Sequence, residues 1–78
     1  MNMPAYPVYR RLSNLKSHYK IVSPLEFDEI QQVGTLFFKT TTHIVKYPEK
    51  LRLQDMLSFT PPFEPSIAAD YNSRLDMV

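Results

Sequence analysis

Thr35-Leu36-Phe37-Phe38-Lys39-Thr40-Thr41-Thr42-His43-Ile44-Val45-Lys46-Tyr47 is the only long run of the chain dominated by β-branched and aromatic residues, with Gly34 before it and Pro48 after it. Side chains of this kind suit a pleated, half-buried surface better than a helix, so the run reads as the main strand of a sheet. Alternation puts Leu36, Phe38, Thr40, Thr42 and Ile44 on one face and Phe37, Lys39, Thr41, His43, Val45 and Tyr47 on the other. Neither face is cleanly polar. The strand is therefore expected either to lie between two layers or to present Phe37, Val45 and Tyr47 to another chain. It is longer than an ordinary strand of about 5–6 residues, which allows a bend near Thr40 to Thr42. A hairpin there is the weaker option, because the usual Asn or Gly is missing.

Before this strand, Pro4 and Pro7 keep the first residues extended, and an extended arm is expected over residues 1–6. Val8, Leu12, Leu15 and Tyr19 then recur at offsets that fall on one stripe of a helix. The spacing predicts a first, amphipathic helix, with Arg10, Arg11, Lys16 and His18 off the stripe. Tyr19 to Val22 is expected as a short strand. Ser23-Pro24-Leu25-Glu26 has the form of a capping box with proline at the first helical position, which predicts a helix over 24–33, although the spacing of Leu25 and Phe27 would also suit a strand. Glu26, Asp28 and Glu29 would sit in its first turns, where the helix dipole favours acid, and Gly34 would be its left-handed C-cap.

After Pro48, Leu53, Met56 and Leu57 suggest a short helix near 53–59, although Leu51 and Leu53 alternate as in a strand. Thr60-Pro61-Pro62-Phe63-Glu64 reads as a stiff extended connector. Pro65 is expected to open a last helix carrying Ile67, Ala68, Tyr71 and Leu75 on one side and an Asp70/Arg74 pair on another. Residues 76–78 are expected to fray. The fold class is thus α+β: one domain over 1–78, with three to four short helices packed on a small sheet centred on residues 35–47.

Composition narrows function mainly by exclusion. The chain has 78 residues and no cysteine, so disulfides and thiolate metal sites are out, and cytoplasm is the expected compartment. A chain this short buries only about 60% of its unfolded surface. A partner surface, in a homodimer or a larger complex, is the remaining way to add stability. With a single glycine there is no phosphate-cradling loop, dinucleotide fingerprint or nucleophile elbow. His18 and His43 are the only imidazoles, far apart in sequence, and no metal, cofactor or small-molecule substrate is expected. No apolar run is long enough to span a membrane. The chain is not expected to be an enzyme.

Net charge is +1, but it is unevenly spread. Residues 1–22 hold Arg10, Arg11, Lys16 and Lys20 and no acid, whereas residues 23–34 hold Glu26, Asp28 and Glu29 and no base. These two regions would attract each other or two different partners. Two functional expectations follow. The first is a non-catalytic protein-interaction module, of the size and composition of the small inhibitors and adaptors that phages and mobile elements direct at host complexes. Its candidate partner-binding residues are Arg10, Arg11, Lys16, Lys20, Phe37, His43, Val45 and Tyr47. The second is a nucleic-acid binder that sets the basic first helix against phosphates.

Overall fold

The computed structural model describes residues 5–78, so most of the expected N-terminal arm lies outside the described residues. The order of elements is β1 (Val8–Leu12), β2 (Ser17–Ser23), β3 (Glu26–Val33), β4 (Leu36–His43), α1 (Tyr47–Leu57), β5 (Phe63–Pro65) and α2 (Ala68–Leu75). The strands form one antiparallel sheet in the order β4-β3-β2-β1-β5. The class is α+β, with more sheet and fewer helices than the sequence suggested: two helices stand among the described residues.

The expected first helix is instead the β1–β2 hairpin. Val8 and Leu12 lie on one face of β1, and Tyr19 lies on the same face of β2, opposite Arg10. An offset of four is a multiple of two as well as near one helical turn, so the same spacing marks one side of a strand. Leu15 breaks the helical reading. It occupies the turn with φ 62°, a left-handed conformation that a helix interior excludes.

The helix expected over 24–33 is also a strand. Pro24 and Leu25 form the turn between β2 and β3, and the Ser23 hydroxyl accepts from the Leu25 N–H at 3.1 Å. Serine therefore closes a tight turn here instead of capping a helix. Phe27 and Ile30 are both buried, and their spacing of three resembled a helix because they point to opposite faces of β3, each covered by its own layer. Gly34 does adopt φ 61°. It does so as the first of the two turn residues between Val33 and Leu36, and Thr35 is not left-handed. That is the type II′ arrangement, which favours glycine at the first central position.

β4 is straight and shorter than expected, ending at His43 with no bend at Thr40 to Thr42. Val45 and Tyr47 fall outside it: Val45 lies in the connection and Tyr47 opens α1. The helix starts earlier than expected because Pro48 sits in its first turn and the Glu49 carboxylate accepts from the N–H groups of Val45 (3.0 Å) and Lys46 (3.3 Å). These two bonds hold the Glu49 carboxyl below its usual range. Within the expected connector, Phe63 to Pro65 pairs with β1 as a short edge strand, and the last helix opens at Ala68, not at Pro65.

Helices cover both faces of the middle of the sheet. Leu53 and Met56 of α1 pack on Tyr19, Ile21 and Phe27, joined by Tyr6, Val8, Leu12, Ile44, Leu57 and Phe63. On the other face, Tyr71 of α2 is buried and its ring centroid lies 5.8 Å from that of Tyr9, with Ile30 and His18 also buried beneath the helix layer. The acidic and basic regions of the sequence meet in the sheet itself, where Lys20 stands opposite Asp28. Neither helix layer encloses the outer part of β4.

Candidate interaction surface

The basic residues do not form a common face. Arg10 and Arg11 are neighbours on β1 and so project to opposite sides of the sheet. Arg10 donates from Nε to the Met56 carbonyl at 2.8 Å and from Nη1 to the Tyr9 carbonyl at 2.7 Å, and its guanidinium lies 4.2 Å from the Phe59 ring centroid. It thereby caps the last turn of α1, where positive charge is favoured. Arg11 bridges Glu64 at 3.2 Å and Asp70 at 3.4 Å, tying β5 and α2 to β1. Lys16 is exposed in the β1–β2 turn, and Lys20 is half-buried on β2. The phosphate-facing basic helix expected from the sequence is therefore not formed. Its two arginines are engaged within the fold.

The aromatic and apolar candidates divide in the same way. Phe37 is half-buried, and His43 is exposed with Nδ1 3.3 Å from Glu26 Oε1. Val45 and Tyr47, both well exposed, line an open cleft of roughly 360 Å³ with Pro24, Leu25, Ile44, Lys46 and Lys50. The expected single face of Phe37, His43, Val45 and Tyr47 is split between β4 and this cleft. The cleft holds no carboxylate, imidazole or hydroxyl nucleophile apart from the Tyr47 phenol, and among the described residues no group of three His, Cys, Asp or Glu side chains could hold a metal ion.

A surface that sequence reasoning missed is on β4 itself. Leu36 and Phe38 are 61% and 49% exposed, on the side of the sheet that carries α1. Val33, cross-strand from Leu36, is exposed as well. Alternation had marked these positions as one of two apolar faces, but it carries no information on how far a helix extends across a sheet. α1 covers β1, β2 and β3 and stops short of the hairpin end.

The backbone of β4 adds a second property. The Ile44 N–H donates to the Leu25 carbonyl at 2.7 Å, so even-numbered residues of this strand direct their amides at β3. In an antiparallel ladder the intervening residues then point outward. Phe37, Lys39, Thr41 and His43 thus present backbone groups on the open border of the sheet. Pairing of β4 with β3 runs unbroken from Glu26 opposite His43 to Val33 opposite Leu36, without a bulge. β4 contains no proline and only one lysine. The other border, β5, is three residues long and ends in Pro65. One edge is blunted by the devices that ordinarily prevent edge pairing, while the other carries them only weakly.

Compared with protein-family models, curated proteins and solved structures, the chain matches none of them. Among the described residues no helix is long and apolar enough to cross a membrane.

Proposed function

We propose that this chain is a non-catalytic protein-interaction module, an inhibitor or adaptor in kind, that works through β4 and the β3–β4 hairpin. The observation that carries this reading is the coincidence on one strand of outward-pointing backbone groups with exposed Leu36 and Phe38. Added strands gain affinity from main-chain hydrogen bonds and specificity from alternate side chains, and β4 offers both. The arginines that the nucleic-acid reading relied on are held by Met56, Glu64 and Asp70, which supports protein over phosphate as the partner.

The test is affinity capture from the native host, with and without nuclease, using the natural chain and a Leu36→Asp/Phe38→Asp variant whose unfolding curve matches it. A protein retained after nuclease treatment and lost with the variant supports the proposal. Capture that is indifferent to the variant, or that depends wholly on nucleic acid, overturns it.

A further inference from the structure

The open border of β4 is complementary to itself, and we propose that a second copy of this chain occupies it, β4 against β4, antiparallel about a two-fold axis at Thr40. This rests on the reading of β4 as the docking strand and names the occupant.

A two-fold axis perpendicular to the sheet keeps each face on its own side, so the sheet continues from one copy into the next. Centred on Thr40, the pairing sets Phe38 opposite Thr42, Leu36 opposite Ile44, Lys39 opposite Thr41 and Phe37 opposite His43, each pair formed between the two copies. The outward-pointing residues then meet one another, as an antiparallel ladder requires.

Charge and apolar pairing together select this register over its neighbours. Centred on Lys39, the two lysines would stand side by side. Centred on Thr41, exposed Leu36 would face Lys46 of the other copy in place of Ile44. Centred on Thr40, Lys39 crosses to Thr41 of the other copy, whose hydroxyl donates to Asp28 at 2.7 Å. The Lys39 ammonium therefore gains a carboxylate one strand further on, within reach of its stem at the strand spacing of roughly 4.8 Å. The same relationship is repeated across the axis.

Apolar surface agrees with the charges. Val33 stands beside Leu36 within one copy, and Leu25 beside Ile44. The Thr40 register aligns these four positions in one row across the interface, in which exposed Leu36 of each copy gains Ile44 of the other as its neighbour. Exposed Val45 and Tyr47 flank the same end of the row. Shifting the centre to Phe38 or Thr42 separates Leu36 from Ile44 and shortens the ladder.

The chain contains no cysteine, so single introduced cysteines report the register directly. Thr40→Cys lies at a non-hydrogen-bonded self-pair, where facing Cα atoms approach to about 4.5 Å. Under mild oxidation it is expected to yield a disulfide-linked dimer. Leu36→Cys alone and Asn72→Cys on α2 should give no disulfide-linked dimer, while Phe38→Cys mixed with Thr42→Cys should form the cross-linked hetero-pair. In sedimentation the natural chain is expected to dimerise reversibly, and Lys39→Glu to raise the dissociation constant by about tenfold.

A chain that stays monomeric to millimolar concentration, or a Thr40→Cys variant that cross-links no faster than Asn72→Cys, overturns the second copy as occupant. The docking reading itself is judged separately. If the monomeric chain still captures a protein in a manner abolished by Leu36→Asp/Phe38→Asp, only the occupant is wrong. If that capture also fails, both fall.

Discussion

Arg52 on α1 and Glu29 on β3 meet at 3.1 Å, and the same Arg52 nitrogen donates to the Tyr19 hydroxyl at 2.9 Å. Glu29 also accepts from the hydroxyls of Ser17 at 2.9 Å and Tyr19 at 3.2 Å. The carboxylate is mostly buried at 16% exposure, so its charge is compensated by donors from three positions. Arg52→Ala should cost about 1–2 kcal/mol, the lower part of the range for bonds to charged groups, because the arginine side chain remains 42% exposed. The double variant with Glu29→Gln should lose less than the sum of the two single changes in urea unfolding.

Tyr71 and Tyr19 are both buried but should respond oppositely to loss of the hydroxyl. The Tyr71 hydroxyl has no hydrogen-bond partner among the described residues, and burial, helped by Asp28 and Tyr9, pushes its pKa up to about 12. Tyr71→Phe removes an unsatisfied polar group and should stabilise the protein by about 1 kcal/mol, whereas Tyr19→Phe should destabilise it by a similar amount. Chemical denaturation of the two variants decides this. Spectrophotometric titration of Tyr71→Phe should also lack the phenol that ionises at about pH 12.

His18 is 3% exposed, and burial lowers its pKa, reinforced by Arg74 and Arg11 against the opposing influence of Asp70. A histidine whose folded pKa is depressed binds its proton more readily in the unfolded chain. Unfolding free energy should therefore be highest above about pH 6.5 and fall as pH drops towards the folded pKa, levelling off below it. His18→Gln should flatten the stability profile below about pH 6.5. An unchanged slope would assign the dependence to other groups.

Gly34 has open space where a Cβ would stand, so any cost of substitution comes from its φ of 61° alone. Gly34→Ala should lose about 1–2 kcal/mol, and Gly34→Asn less, since asparagine tolerates the left-handed region better. Thermal melts of the two variants give the comparison.

The sequence revealed β4 from its composition, the positive φ of Gly34 but not the hairpin turn it serves, and α1 and α2 in outline. It hid β1 and β3 for one physical reason. Val8 and Leu12 share a face of β1 at an even offset that a helix also satisfies, Tyr19 joins that face from β2 after the turn, and Phe27 and Ile30 are buried from two sides at a spacing that resembles a helical turn. Periodicity separates helix from strand only where one face is wet, and the middle of this sheet is covered twice. The candidate surface was legible as β4 but not as Leu36 and Phe38, because the reach of α1 is a property of the packed layers and not of any local spacing.

Pro65 has a consequence beyond local stability. A sheet with two receptive borders can recruit neighbours without limit, as fibrils do, whereas this sheet has a receptive border on one side only. Addition of a strand at β4 would therefore terminate growth, and the proposed self-recognition through that strand would close at a pair of molecules instead of running on into a filament.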